Sequence, residues 1–195
     1  CVSWEVKNYG LKNLFMSALE ITAEAGNTDV YVAPYTTFNL TGGRNGKYDN
    51  HLGIFKSTDE GQSWVEINNG FNKDFGVRMI VISPGDPRKL YVGTLATTIE
   101  CLWRTTDSGG LWQSIPVPGV TQTRCLGVDP FDSKVIYLFG LDGSQCLRST
   151  DEGASWEDWD SDNILSNKTL SGVNNMSVSG TNEAVVHVAF YNRTY

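Results

Sequence analysis

Apolar runs long enough to cross a bilayer are absent from this chain of 195 residues, none approaching the ~18 residues of a spanning helix. The first residues carry no apolar h-region either. Charge is sparse, at 19% Asp, Glu, Lys and Arg against 40% hydrophobic residues, which marks a globular chain and excludes a disordered one. Basic charge is scarcer still. Fifteen Lys and Arg face 22 Asp and Glu, and the net charge of −7 argues against nucleic acid or an anionic membrane surface as partner. Only two histidines occur, His51 and His187, and no Cys/His spacing resembles a metal site. No Ser-His-Asp arrangement and no phosphate-cradling Gly loop are present, so neither a metal nor a cofactor is expected. Helical periodicity is missing almost everywhere. Only residues 11–22 pass for a helix, and their place in the repeat described next makes them a strand.

What is present is a repeat. Ser57-Thr-Asp-Glu-Gly-Gln-Ser-Trp64, Thr105-Thr-Asp-Ser-Gly-Gly-Leu-Trp112 and Ser149-Thr-Asp-Glu-Gly-Ala-Ser-Trp156 share the pattern [Ser/Thr]-x-Asp-x-Gly-x-x-Trp. Trp64, Trp112 and Trp156 are 48 and 44 residues apart, the period of one propeller blade. The octapeptide reads physically as a hairpin turn between two apolar stretches. Asp59, Asp107 and Asp151 accept backbone N–H groups ahead of them. Gly61, Gly109 and Gly153 supply the bend. Trp64, Trp112 and Trp156 bury an indole where the hairpin returns. A carboxylate repeated in every blade is scaffold, whereas an active site occurs once.

The pattern resembles the Asp box (BNR repeat), shared by sialidases, xyloglucan-cleaving glycosidases, sortilin-type receptors and a photosystem assembly factor. The resemblance implies a fold and not one function, because those relatives do unrelated work on one scaffold.

Strand signals recur in a fixed order. Innermost strands are expected at residues 14–22, 77–83, 124–129 and 174–179, and second strands at 30–34, 90–94, 135–139 and 185–190. A third strand enters each octapeptide and a fourth leaves it. The fold class is therefore an all-β propeller of four-stranded antiparallel blades. The blades fall near residues 11–70, 71–118 and 119–160, with a partial blade at 170–195 and residues 1–10 as the outer strand of a preceding one. Cys1-Val-Ser-Trp4 reads as the tail of another octapeptide, so the chain is expected to be part of a longer polypeptide, or else to close a small ring or join copies head to tail.

Strand direction sorts the loops. Octapeptides and the Asp/Pro turns lie at one end of each sheet, and the second-to-third connections and inter-blade links at the other. Propellers usually bind at the latter end. The long loop at 35–52 is there, and Tyr35, Phe38, Arg44, Tyr48 and His51 on it are the candidate ligand-binding residues. Four N-glycosylation sequons, at Asn39, Asn167, Asn175 and Asn192, are expected at that same end. Cys101, Cys125 and Cys146 each start a strand, and one disulfide is expected between two of them, Cys101 with Cys125 or Cys146.

Enzyme chemistry is thinly represented. The sialidase motif with its Arg-Ile-Pro is absent. The segment Val77-Arg-Met-Ile-Val-Ile-Ser-Pro-Gly-Asp-Pro-Arg-Lys-Leu-Tyr-Val-Gly93 is similar to the inner-strand region of xyloglucanases, whose inverting hydrolysis needs two carboxylates ~6.5–9.5 Å apart. Asp74 is the carboxylate nominated for such a role. The sequons tilt the reading toward a secreted or cell-surface binding or assembly module with a protein or glycan ligand, including self-association. A xyloglucanase-type glycoside hydrolase is the alternative, and a sortilin-like receptor ectodomain the third reading.

Overall fold

The computed structural model describes residues 5–11, 16–24, 27–34, 53–73, 75–95, 100–141, 145–159 and 173–190. Asp74, Tyr35, Phe38, Arg44, Tyr48, His51, Asn39, Asn167 and Asn192 lie outside them. The fold is an all-β propeller architecture of four-stranded antiparallel blades. The first sheet holds β1 (Met16–Glu24), β2 (Asn27–Pro34), β3 (Phe55–Ser57) and β4 (Val65–Glu66) in that order. The second holds β5 (Val77–Ile82), β6 (Leu90–Thr94), β7 (Leu102–Thr105) and β8 (Gln113–Ile115). The third holds β9 (Thr123–Val128), β10 (Ile136–Gly140), β11 (Cys146–Ser149) and β12 (Glu157–Asp158). A two-stranded ribbon, β13 (Val173–Ser179) with β14 (Val185–Phe190), follows.

Period-two alternation sends successive side chains to opposite faces of a sheet, and each face is covered by a different neighbour. In β10, Ile136 and Leu138 join Tyr91 and Leu102 in the core between the second and third sheets. Tyr137 and Phe139 instead join Met176 in the core between the third sheet and the ribbon. The first and second sheets share a core of Tyr31, Ala33, Ile80, Leu90, Val92 and Trp103. The second strands are thus buried on both sides, as for β6 and β10, which accounts for their unbroken apolar runs. Leu19 and Ile21 of β1 stand where Ile80 and Ile82 stand in β5, yet they are 59% and 55% exposed.

Turn chemistry closes the hairpins. At the β9–β10 turn the Asp129 carboxylate accepts the N–H groups of Phe131 (2.8 Å) and Asp132 (3.2 Å), and Asp129 N donates to the Val135 carbonyl. At the β5–β6 turn Asp86 accepts the Arg88 N–H in the same manner.

The expected disulfide is not formed among the described residues: Cys101, Cys125 and Cys146 are buried, and none is joined to another. Register explains why. Cys125 pairs with Phe139 and Phe139 with Cys146, so the two cysteines flank one phenylalanine across three strands. Two strand spacings of ~4.8 Å exceed the Cα separation of ~7 Å that a disulfide spans. Cys101 lies on the other side of the third sheet, in the core with Val120 and Leu126. Burial pushes the thiols of Cys101 and Cys125 up to about 11.

Candidate functional site

The three octapeptides fold alike. Ser57, Thr105 and Ser149 are buried, and each hydroxyl donates to its own Asp (2.7, 2.6 and 2.8 Å) while accepting the N–H of Gly61, Gly109 or Gly153 (2.8, 3.1 and 2.8 Å). The Asp carboxylates then accept the N–H of Ser63, Leu111 and Ser155 (2.8, 2.9 and 2.8 Å). Two successive residues at positive φ make the turn. Glu60, Ser108 and Glu152 stand at 58°, 59° and 60°, and the glycines after them at 84°, 93° and 90°. Each carboxylate is engaged by its own turn.

Acidity follows from these donors. The Ser63 hydroxyl and N–H, then the Ser57 hydroxyl, hold Asp59 at about 2. Ser155 and Ser149 hold Asp151 at about 2 in the same way. Asp107 is lowered by Thr105 and the Leu111 N–H, but Leu111 offers no hydroxyl where the other turns have serine. A carboxylate depressed on folding stabilises the fold above its unfolded value near 3.9, and that contribution is lost as pH falls through the folded one. Stability is therefore expected to decline from about pH 4 to about pH 2, and Asp59→Asn with Asp151→Asn to flatten that decline. Leu111 is 46% exposed, so Leu111→Ser is tolerated and is expected to lower the Asp107 pKa. Side-chain carboxyl titration by NMR reads both, and an unchanged Asp107 would count against the hydroxyl as cause.

Indoles tie each octapeptide to the preceding sheet. Trp112 Nε1 donates to Ile67 O (2.7 Å), Trp156 Nε1 to Pro116 O (3.2 Å), and Trp64 Nε1 to Lys7 O (3.1 Å). Residues 5–10 thus meet the first sheet as residues 65–70 meet the second. The three tryptophans were expected to be largely buried, and none of them is exposed. Trp112 alone is buried, packed on Phe71, whereas Trp64 and Trp156 are half-buried. Val120 stands where Phe71 stands, in the cluster against which Trp156 packs.

The opposite end of the sheets carries a feature that composition did not disclose. All four innermost strands break register at one equivalent place: between Met16 and Ala18, Val77 and Met79, Thr123 and Cys125, and Val173 and Asn175. Bulges re-aim side chains and occur at barrel rims and beside active sites. The bulged residues are Ser17, Arg78, Arg124 and Asn174, all polar. Ser17 Oγ donates to Val77 O (2.7 Å) on the next sheet, and Arg78 Nε donates to Arg124 O (3.0 Å) on the one after. The legible signal was the shared x-Arg start of Val77-Arg78 and Thr123-Arg124. This rim lies at the end of the sheets where β2 ends and β5 begins.

Asn175 is exposed on β13, directly beyond the rim bulge. Lys56, Arg104 and Arg148 of the third strands are half-buried. Lys56 lies over the Tyr31 ring and Arg148 over Tyr137. Open concavities lie beside Glu66, Asn68, Phe71 and Lys73, of about 480 Å³, and beside Asn175, Ser177 and His187, of about 210 Å³. Among the described residues no group of three or more His, Cys, Asp or Glu is placed to hold a metal, and no helix is long and apolar enough to cross a membrane.

The architecture is that of a β-propeller. The chain is 27% identical to a xyloglucanase of Paenibacillus sp over 196 residues, covering 77% of this chain and 19% of that protein. It is 28% identical to xyloglucanase Xgh74A of Acetivibrio thermocellus over 122 residues, covering 53% of this chain and 14% of the relative. It therefore spans less than a fifth of the length of these curated relatives. The GH74 xyloglucanase of Xanthomonas campestris superposes with a TM-score of 0.63 at 17% identity, over 96% of this chain and 29% of that one. An ancestral GH74 enzyme superposes at 0.54 with 20% identity, over 92% and 22%. These two likenesses show the fold. No protein-family profile matches the chain.

Proposed function

We propose that this chain is a propeller segment of an extracellular glycoside hydrolase of the xyloglucanase type, with an Asp-box scaffold. The observation that carries the reading is the 27% identity to the Paenibacillus xyloglucanase, an alignment taking in 77% of the chain and so reaching far beyond the three octapeptides. It favours the glycosidase over the binding or assembly module that the sequons pointed to. Polysaccharide chains are too large to enter a cell, which sets the working place outside it. In this reading the bulged rim and the 35–52 loop form one side of a glycan cleft. Tyr35, Phe38 and Tyr48 offer ring faces to sugars, and Arg44 and His51 offer hydrogen bonds. Asp74, leading into β5, serves as general acid or base, its partner carboxylate standing 6.5–9.5 Å away, roughly, as inversion requires.

A second observation bears on the wider assembly. Leu19 and Ile21 present the same row that Ile80 and Ile82 bury in the second sheet. A further blade of the same protein is the occupant that this row fits.

Incubating xyloglucan with the protein that carries this segment is expected to release reducing ends. Asp74→Asn is expected to cut kcat by about 10²–10⁴-fold with polysaccharide retention in affinity gels preserved, while Asp107→Asn leaves kcat unchanged. Retention without hydrolysis by the unaltered protein restores the binding-module reading. Absence of both removes the glycan reading.

A further inference from the structure

All four innermost strands bulge at the rim, but the bulged residues differ: Ser17, Arg78, Arg124 and Asn174. Scaffold positions of this protein repeat, as the Ser/Thr, Asp, Gly and Trp of the octapeptides do. A bulge that recurs while its residue changes presents variable chemistry from a constant frame, which is how binding surfaces are built on rigid scaffolds.

Ser17 shows what the scaffold itself needs there. Its hydroxyl donates to Val77 O (2.7 Å) and so ties the first sheet to the second, its other acceptors being Ala33 O (3.1 Å) and Pro34 O (3.4 Å) of its own sheet. A single short donor is enough for that tie. Arg78 ties the second sheet to the third through Nε, on Arg124 O (3.0 Å), with a side chain far longer than the tie requires. A guanidinium holds five N–H donors in a fixed fork, and pinning it through Nε orients that fork before any ligand arrives. Arg124 enters the tie through its backbone carbonyl, so its side chain takes no part in that bond. Both arginines are half-buried. Burial pushes the Cys125 thiol up while the Arg124 and Arg78 charges draw it back, which puts both cations within electrostatic reach of one atom. Like charges repel at such range, and a rule broken at one place in a regular fold marks a functional place. β5 lies between β1 and β9, and β9 between β5 and β13, so each arginine has a described sheet on either side.

We propose that Arg78 and Arg124 bind the polysaccharide at the rim, each guanidinium donating a fork of hydrogen bonds to neighbouring hydroxyls of the sugar main chain. The inference rests on the glycan reading above and adds to it the residues that grip the chain. Adjacent pyranose hydroxyls set two acceptor oxygens side by side, which a planar fork meets and a lysine ammonium does not. Donors that hold the glycan equally before and at the transition state govern KM and leave kcat alone.

Initial-rate kinetics on soluble xyloglucan, with the whole protein that carries this segment, test this. Arg78→Ser retains a hydroxyl for the tie in the manner of Ser17, and Arg124→Ala retains the carbonyl that Arg78 uses. Each is expected to raise KM about 10–100-fold with kcat within about 2-fold, and to weaken retention in xyloglucan affinity gels to match. Arg124→Lys keeps the charge and is expected to recover only a small part of the loss. Arg88→Ala, at the β5–β6 turn of the opposite end, leaves KM unchanged. Urea denaturation reads the inter-sheet tie separately. Unchanged KM and retention in both rim variants, or a fall in kcat alone, overturn the proposal and leave the glycan reading standing. Full recovery by Arg124→Lys overturns the fork. If the unaltered protein holds xyloglucan without cleaving it, retention carries the same comparison. Neither retention nor cleavage by the unaltered protein overturns both readings.

Discussion

Trp112→Ala is expected to lower the free energy of unfolding by about 3–5 kcal/mol, the range for deleting a buried indole. Trp112 is 2% exposed and lies in the core between the first two sheets. Its ring meets Phe71 edge-on at 6.1 Å, and Phe71 meets Trp103 at 5.1 Å, so one substitution loosens a cluster of three aromatics. Its backbone N–H also donates to Asn69 O, and its indole N–H to Ile67 O, both in the link from the first sheet to the second. Trp112→Phe keeps most of the packing and leaves the Ile67 carbonyl without its donor, which is expected to cost about 1–2 kcal/mol. Trp64→Ala, at a half-buried indole, is expected to cost clearly less than Trp112→Ala. Chemical denaturation of the three variants reads the series, and an equal loss at Trp64 and Trp112 would refute the role given to Phe71.

Glu152→Gln is expected to destabilise by about 1–3 kcal/mol, since hydrogen bonds to charged groups contribute about that much. The Glu152 carboxylate accepts Lys89 Nζ at 2.8 Å and Arg104 Nη1 at 3.0 Å, both from the second sheet, while its own backbone N–H donates to Lys134 O of the third. The fourth octapeptide position is thus a clasp between blades. All three side chains are less than a third exposed, so water screens the ion pairs only in part. Tyr91 lies beneath them, its phenol pushed up to about 12 by burial first and the Glu152 charge second. Removing that charge is expected to bring the Tyr91 pKa down, which ultraviolet titration follows. Glu60 holds the same place in the first octapeptide, is exposed, and has no ion pair among the described residues. Glu60→Gln is expected to stay within about 0.5 kcal/mol of the unaltered protein. A Glu60 effect as large as that at Glu152 would make the position a general requirement of the turn and not an inter-blade clasp.

The two variants separate two ways of joining blades. Trp112 acts by filling a core and satisfying a carbonyl, Glu152 by neutralising two cations of its neighbour. At the position equivalent to Glu152 the second octapeptide carries the uncharged Ser108, whose backbone N–H donates to Arg88 O. One turn geometry therefore supports different junction chemistries.

How far the sequence reached is clearest from particular residues. The octapeptide turns, the Asp129 and Asp86 bends and the four-strand order rest on contacts within a few residues of one another: a hydroxyl two positions before its Asp, an N–H four positions after it. Such contacts repeat whenever the residues repeat, so a linear pattern determined the blade architecture. Which indole is buried, where Arg78 and Arg124 are aimed, that Glu152 binds Lys89, and that Phe139 holds Cys125 and Cys146 apart were decided only in three dimensions. Each depends on a partner as far as 63 residues away or on the register in which strands pair. A period-two pattern states that a strand has two faces. It does not state which neighbour covers each face, because that is set by how sheets stack, and stacking is a property of the assembled blades.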